Sequence, residues 1–283
     1  MKKFVSITLV VLLVLSIAAG CSQQQTAADY VVLAEDFGEE DFAIGFRKAD
    51  IALAAEVQRQ LDTMIADGTA AEIATRWFDA DIYYADSEYI HDLSVVAPED
   101  NSLETVMTKG ELVLGLDVGF KPMGYYDEQG AIVGFDIDLA TEVCERMGIK
   151  LVLQPITWAA KEMELNSNKI DCIWNGMSVT PERIENLTFS RPYLKNRQIA
   201  IVKGDSGIAT KADMSGKVAG LQEGSTARDA LDKDVATATS LNSIVEYPDN
   251  VAVFMDLKNG RIDIFVVDEV VGRALIENES AAD

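Results

Sequence analysis

The stretch KIDCIWNGMSVTPERIENLTFSRPY, residues 169–193, passes from an apolar strand to a capped helix and on to a second apolar run. Residues 170–174 form a short, mostly apolar run, which predicts a buried strand. Thr180 can cap a helix, Pro181 suits the first helical position, and Arg183 falls in the first turn. A strand that leads into a helix in this way is typical of α/β proteins.

The alternation of strands and helices continues on both sides of this stretch. It predicts an α/β fold with mostly parallel sheets, and its two sets of elements favour two similar lobes joined near residues 193–197. In the first set, Asp136 is predicted to cap a helix that Gly148 ends. The predicted strands lie at residues 112–116, 150–155, 170–174, 198–203, 217–221, 243–247 and 263–267, and the predicted helices at residues 136–147, 161–166, from 226 onward, 250–257 and after 268.

The first third of the chain does not follow this order. Residues 30–48 have an extended pattern, and residues 50–66 place apolar side chains on one helical face. Thr69 and Glu72 match a capping box, T-A-A-E, that opens a second helix. Residues 85–108 are acidic and rich in turn formers, so they are predicted to be a linker.

The composition is that of a globular protein and excludes low-complexity disorder. Of the 283 residues, 48% are hydrophobic and 25% are charged. Lys and Arg total 24 against 47 Asp and Glu, which gives a net charge of −23. An acidic surface repels phosphate backbones, so we expect no binding of nucleic acid.

The N-terminus has the order of a secretory signal. Lys2 and Lys3 precede an apolar run at residues 4–19, which ends in small residues and Cys21. The residues before Cys21 resemble a bacterial lipobox, which implies cleavage after residue 20 and lipidation of Cys21. A plain signal peptide with an incidental cysteine is the alternative. The lipobox reading predicts an exported protein held at the extracellular face of the cell membrane by a lipid anchor.

The sequence offers no metal-ligand cluster and no Cys/His nucleophile pair, and we expect no cofactor. Cys144 and Cys172 lie in apolar segments, where buried free thiols are favoured over a disulfide. The single histidine, His91, lies in the predicted linker.

Four motifs, in consistent order, resemble the extracellular solute-binding proteins of polar amino acid ABC transporters. They are GELVLGLDVGFKPMGYYDEQGAIVGFDIDLATEVCERMGI, the stretch KIDCIWNGMSVTPERIENLTFSRPY, then KVAGLQEGSTARD and LKNGRIDIFVVDEVV. The resemblance implies a two-lobed fold of the type II periplasmic-binding-protein kind. It also implies an amino acid ligand and permease subunits of an ABC transporter as partners.

The order of the segments departs from the family. FAIGFRKADIALAAEVQRQLDTMIADGTAAEIATRWFDADIYY is similar to the family's C-terminal segment, yet here it precedes the opening motif. The chain therefore resembles a circular permutant, which is physically reasonable because domain termini are often close together at the surface. A partial duplication and a domain-swapped assembly are alternatives. The expected divisions are residues 1–20 (signal peptide), 21–29 (lipidated Cys and tether), 30–41 (completing lobe 2), 42–84 (C-terminal-type helices of lobe 1), 85–108 (linker joining the ancestral ends), 109–195 (lobe 1) and 196–283 (lobe 2).

A free amino acid needs an opposed charge for its carboxylate and another for its ammonium group. Arg183, in the family motif S-x-T-x-x-R, is the expected carboxylate ligand. Asp268 ends an apolar strand at the carboxyl edge, where ligands of open α/β sheets bind, and is the expected ammonium ligand. The structural alternatives are a solvated surface arginine and a helix-capping aspartate.

Further contacts follow from the same resemblance. Ser225 and Thr226 open a helix after a strand, so their N–H groups and hydroxyls can meet the carboxylate. Gly176 and Ser178 resemble the first lobe's contribution, a backbone carbonyl for the ammonium and a hydroxyl for the carboxylate.

Phe120 and Trp158 match positions where the family places aromatic rings, although aromatic residues there can equally be core. Asp117 could sense the ligand side chain, or pair with another protein group.

The expected mechanism is hinged closure of two lobes on the ligand, with the closed form docking on a permease. The hinge is predicted at residues 193–197 and 39–43. Two rivals remain open, a sensory binder for a signalling receptor and a secreted dehydratase or lyase of the same fold. An enzyme needs a general acid or base in the cleft, and no motif for one is evident, so we expect a binding protein.

Overall fold

A computed structural model describes residues 29–282, and for the last two of these the backbone alone. The predicted signal peptide (residues 1–20), Cys21 and the tether up to residue 28 lie outside the described residues. Within residues 29–282, no helix has the length and apolar character needed to cross a bilayer.

The first body, lobe 1, is built on a five-stranded sheet and a small three-stranded one. Its strands are β3 (Gly45–Arg47), β4 (Glu111–Leu116), β5 (Gly119–Phe120), β6 (Gly124–Tyr126), β7 (Ile132–Val133), β8 (Lys150–Pro155), β9 (Cys172–Ile173) and β10 (Leu187–Phe189). The order in the five-stranded sheet is β10-β3-β9-β4-β8. The three strands β9, β4 and β8 are parallel, whereas β3 and β10 run antiparallel to their neighbours. A small antiparallel sheet, β5-β6-β7, follows β4.

The second body, lobe 2, is built on one six-stranded sheet. Its strands are β1 (Tyr30–Val32), β2 (Glu39–Phe42), β11 (Leu194–Lys203), β12 (Val218–Gln222), β13 (Ser243–Tyr247) and β14 (Ile264–Asp268). The strand order is β1-β11-β14-β12-β13, and β2 pairs with the other half of β11. The strands β14, β12 and β13 are parallel, and β1, β2 and β14 pair antiparallel with β11. The sheets are therefore more mixed than the sequence predicts.

Helices cover both sheets. Those of lobe 1 are α1 (Ile51–Asp67), α2 (Thr69–Phe78), α3 (Ser102–Lys109), α4 (Phe135–Met147), α5 (Lys161–Asn166) and α6 (Pro181–Asn186). Those of lobe 2 are α7 (Thr226–Lys233), α8 (Val235–Ser240), α9 (Asn250–Lys258) and α10 (Glu269–Ala282).

Two neighbouring crossings connect the lobes. The chain passes from β2 to β3 through residues 43–44, and from β10 to β11 through residues 190–193. At this point β2 and the start of β11 lie side by side, with Leu194 opposite Phe42 and Arg197 opposite Glu39. These are the segments in which the sequence predicts the hinge.

The N-terminal elements are part of both cores. Phe42 and Ile44 have no exposed surface, and Val57 and Leu61 of α1 are likewise fully buried. Complete burial of such a side chain contributes about 1.5–3 kcal/mol each. Cys144 and Cys172 are buried and unbridged, which confirms the expectation of free thiols.

Two of the predicted helix caps are wrong. Gly134 occupies the N-cap position of α4, and Asp136 lies inside the helix, fully buried, where it accepts a hydrogen bond from the Gly176 N–H at 2.8 Å. Burial raises the pKa of Asp136 to about 7. The capping box at Thr69 is not formed, because Gly68 is the N-cap of α2 and the Thr69 hydroxyl donates to Asp67.

The segment predicted as a linker is only partly irregular. Its end forms α3, which packs against α1 and β4. Asp100 accepts a hydrogen bond from the Ala52 N–H at 2.7 Å, and the Ser102 hydroxyl accepts one from the Leu53 N–H at 3.1 Å. These bonds provide acceptors for the first turn of α1, which no side chain at its own N-cap supplies.

Candidate functional site

Arg183 points into the cleft between the lobes. Thr180 caps α6 through its hydroxyl, which accepts the Arg183 N–H at 3.2 Å, as the sequence predicts. Arg183 is 8% exposed, and its guanidinium donates from Nη1 to the Ser178 carbonyl at 2.8 Å and from Nη2 to the Gly224 carbonyl at 3.2 Å. Burial lowers its pKa, although Glu162, Glu40, Asp229 and Asp268 oppose that change. The arginine is therefore a buried cation with N–H donors to spare.

A second buried basic side chain, Lys161, contacts the same carbonyl. Its Nζ donates to Gly224 O at 2.9 Å and lies 4.9 Å from the centre of the Trp158 ring. Burial, and next the charge of Arg183, lower the pKa of Lys161 to about 7. Gly224 has φ +72°, and a Cβ there would lie 2.9 Å from the Ala159 Cα, so only glycine lets the lobes approach this closely.

Hydroxyl groups connect the lobes beside Arg183. Ser178 Oγ of lobe 1 and Thr226 Oγ1 of lobe 2 are 3.1 Å apart, and both residues are buried. Ser225 behaves differently, because its hydroxyl donates to the Gln222 carbonyl at 2.8 Å within its own turn. The structure thus brings Ser178 and Thr226 together and ties the Ser225 hydroxyl to the turn.

Asp268 lies at the end of β14 and is 5% exposed. Its Oδ1 accepts from Asn196 Nδ2 at 2.7 Å and from Gln198 Nε2 at 2.8 Å. Burial raises the pKa of Asp268 well above its usual range, and the neighbouring Glu40 raises it further. Gln198 Nε2 also lies 3.2 Å from Thr226 Oγ1, so a chain of polar contacts joins Asp268 to Ser178 and Arg183.

The two predicted aromatic residues form one wall. The rings of Phe120 and Trp158 are nearly parallel, at 9°, with centroids 6.4 Å apart, and both residues are almost completely buried. Gly176 packs under this wall with φ +57°, and a Cβ there would come within 2.5 Å of the Phe120 ring. Its N–H is held by Asp136, so its orientation is set from the core.

Asp117 pairs with another protein group, which is one of the two expectations stated for it. Its Oδ2 accepts from Gln222 Nε2 of lobe 2 at 2.6 Å, and its Oδ1 accepts from the Gly119 N–H at 2.8 Å. Burial raises the pKa of Asp117.

The arrangement suits a small zwitterion. Arg183 supplies a cation at one side, Asp268 supplies an acid at the other, and the aromatic wall offers an apolar surface for a side chain. Among residues 29–282, no group of three His, Cys, Asp or Glu side chains could hold a metal ion.

Sequence reasoning missed Lys161, Glu40, Asn196 and Gln198. Asn196 and Gln198 are two residues apart on β11, so they face the same side of the strand. Because the strand continues as the apolar run IAIV, the sequence could have indicated that these two amide side chains are buried and therefore need polar partners. Glu40 carried no such signal, because it lies in the acidic run EDFGEED, and only the pairing of β2 with β11 identifies it.

Of the cavities among the described residues, one borders this cluster and a larger one does not. One of about 280 Å³ borders it and is lined by Glu40, Gln198, Thr226 and Thr180, among others. Another, of about 680 Å³, lies between α1 and residues 89–94 and contains none of the predicted site residues.

Comparison with known proteins bears on this site. The sequence profile of the bacterial extracellular solute-binding proteins of family 3 matches residues 112–246. An ABC uptake transporter substrate-binding protein from Streptococcus pneumoniae, solved with bound histidine, is 38% identical with a TM-score of 0.63. That match covers 65% of this chain and 76% of the other.

Two curated relatives are more distant. The L-cystine-binding protein TcyJ of Escherichia coli K12 is 28% identical over 181 residues, 63% of this chain and 66% of its own length. The cyclohexadienyl dehydratase of Pseudomonas aeruginosa is 27% identical over 179 residues, 62% of this chain and 65% of its own length. The chain thus spans just under two thirds of the length of these curated relatives.

The profile match, the identity to the streptococcal protein and the two-lobed α/β architecture agree with one another. The chain belongs to the bacterial extracellular solute-binding proteins of family 3.

Proposed function

We propose that this protein captures a polar amino acid in the cleft between its lobes and delivers it to an ABC permease. The observation that carries the proposal is the buried cluster in which Arg183 of lobe 1 and Asp268 of lobe 2 are joined through Ser178, Thr226 and Gln198. Arg183 binds the ligand carboxylate, and Asp268 binds its ammonium group. Ser178, Thr226 and the backbone around Gly176 and Ser225 complete the polar contacts, and Phe120 and Trp158 flank the side chain.

Hinged closure is the proposed mechanism. The contacts of Arg183 and Lys161 with Gly224 and of Asp117 with Gln222 all join one lobe to the other. These contacts form only when the lobes are together, and we expect the crossings at residues 43–44 and 190–193, with the adjoining predicted segments 39–43 and 193–197, to act as the hinge. A ligand that touches both lobes stabilises the closed form by its differential affinity for it.

The location we propose is the extracellular face of the cell membrane, with Cys21 lipidated. The order of charged, apolar and small residues before Cys21 supports export and anchoring. Membership in the family supports delivery to a permease. A sensory role for the same binding chemistry would differ only in the partner.

We further propose that the chain is a circular permutant. The profile match at residues 112–246 leaves β1, β2, β3, α1, α2 and α3 outside it. Those elements supply strands to both sheets and pack in both cores, and β1 and β2 pair with β11 of the same chain. Intramolecular completion of both lobes supports permutation over duplication or exchange between copies.

An enzymatic role is the second candidate, because a curated relative is named a cyclohexadienyl dehydratase. The raised pKa of Asp268 would suit a general acid. We favour binding, since the same carboxyl group accepts two amide hydrogen bonds, from Asn196 and Gln198, which hold it as an acceptor.

The direct test is a panel of amino acids screened by thermal shift, followed by calorimetry on each hit. Binding of at least one free amino acid, with no conversion of it in the same mixture, is the expected result. Turnover of a ligand detected by mass spectrometry would instead support the enzyme. Uptake in cells that lack the cognate permease would separate delivery from sensing.

A further inference from the structure

Two carboxylates, not one, lie at the acidic end of the cleft. Asn196 Nδ2 donates to Glu40 Oε1 at 2.6 Å and to Asp268 Oδ1 at 2.7 Å. Gln198 Nε2 donates to the same two oxygens, at 2.7 and 2.8 Å. Since both amides are shared, the carboxyl groups of Glu40 and Asp268 are neighbours.

Glu40 reaches the cleft from the crossing strand β2. Its Oε2 accepts from Thr226 Oγ1 at 2.8 Å, which places it against the hydroxyl pair that links the lobes. The charged groups around it are Asp268 of β14, Arg183 of α6, Asp229 and Lys233 of α7, and Glu39 and Asp41 of its own strand. Glu40 therefore touches residues of lobe 2 at the hinge side of the cleft.

The same cluster is short of hydrogen-bond donors. Asn196 Oδ1 and Gln198 Oε1 are buried without a hydrogen-bond partner. Unsatisfied buried acceptors are uncommon and costly. Two neighbouring acids also oppose each other's ionisation, and a bound cation relieves that opposition.

We propose that Glu40 is a direct ligand of the bound amino acid and that Glu40 and Asp268 together hold its α-ammonium group. This inference rests on the proposed function. An ammonium group carries a positive charge and three N–H donors, which matches a site with two acids and an excess of acceptors. The opposite end of the ligand then lies toward Arg183, so the two acids and the guanidinium orient the molecule along the cleft.

The test compares Glu40→Gln with the wild-type protein by calorimetry, using L-histidine, L-arginine and L-cystine as probes. Loss of a charged hydrogen bond predicts affinity weaker by about 10- to 100-fold for every probe that binds. Glu39→Gln removes the same charge from an exposed neighbour on β2, and its affinity is expected to stay within threefold.

The outcomes separate this inference from the proposed function. An equal loss for neutral and cationic probes supports contact with the ammonium group that all of them share. A loss confined to L-arginine and L-histidine, or a change below threefold, overturns the assignment while leaving amino acid binding intact. If the wild-type protein binds no amino acid, both proposals fail. Should Glu40→Gln not fold, Glu40→Asp is the substitute, because it retracts the carboxylate by one methylene. A loss of affinity of about tenfold then supports the assignment, and a loss below threefold overturns it.

Discussion

Gln222 of lobe 2 donates a hydrogen bond to Asp117 of lobe 1 across the cleft, at 2.6 Å between Nε2 and Oδ2. The Gln222 side chain is itself held from behind, because its Oε1 accepts from Asn250 Nδ2 at 3.0 Å. One oxygen of the Asp117 carboxyl group thus accepts from the other lobe, while the second accepts from the Gly119 N–H of its own lobe. In the proposed closure, this pair adds a contact within the protein to those made by the ligand.

Replacement of this donor should open the cleft. Gln222→Met keeps the volume but leaves Asp117 Oδ2 without this donor, at a cost of about 1–3 kcal/mol to the closed form. We expect ligand affinity to fall about tenfold and the radius of gyration from small-angle scattering to increase without ligand. Gln154→Met, on the exposed strand β8, is the matched control. An unchanged radius and affinity would contradict a role for the pair in closure.

Removal of the guanidinium should abolish most of the binding. Arg183→Ala is expected to weaken the best amino acid ligand about 100-fold or more, because charged hydrogen bonds to its carboxylate are lost. Calorimetry provides the measurement. Arg228→Ala, which removes a surface arginine paired with Asp232 and Glu246, should change affinity little. If Arg183→Ala binds within threefold of the wild type, the carboxylate assignment is wrong.

Lys161 should make stability depend on pH in the alkaline range. Its pKa falls from 10.5 to about 7 in the folded protein, mainly through burial. Between these values the unfolded chain binds more protons, so this group's contribution to the free energy of unfolding rises with pH and is lost as pH falls through about 7. The full slope is about 1.4 kcal/mol per pH unit.

Lys161→Met should therefore be more stable than the wild type at pH 7, with the advantage shrinking toward pH 9.5. Urea unfolding at several pH values measures the difference. Lys169→Met removes an exposed lysine that pairs with Glu164, and its curve should run parallel to that of the wild type. A constant difference between Lys161→Met and the wild type would show that Lys161 keeps its charge in the folded state.

The permutation can be tested by reversing it. A rearranged chain with residues 100–283 followed directly by residues 29–84 should fold and bind ligand with the wild-type affinity. The new start keeps Asp100 and Ser102, which bond to the first turn of α1. Circular dichroism and calorimetry are the measurements.

The control for that experiment lacks residues 29–42. It removes β1 and β2, the antiparallel partners of β11, and with them the buried ring of Phe42. We expect it to be insoluble or unfolded. If the rearranged chain fails to fold while the native order folds, the proposed equivalence of the two orders is wrong.

Elements with a strong local signal were predicted well. The periodicity of α1 gave bounds within one residue of the observed helix, and the Thr180 cap gave the start of α6. The caps at Asp136 and Thr69 were wrong because glycine already occupied the turn, and the freed side chains took other partners. Local pattern identifies where a helix starts but not which of several polar residues satisfies its first turn.

The sequence by itself determined the α/β class, the two lobes, the family motifs and the residue types that can bind an amino acid, because these depend on local periodicity and spacing. Only the tertiary structure decided which groups meet in the cleft. Glu40, Asn196 and Asp268 are separated by 156 and 72 positions along the chain, and they come together through strand pairing. Hydrogen bonds between distant strands carry no local signature, so the acidic end of the site emerges only when the sheet is assembled.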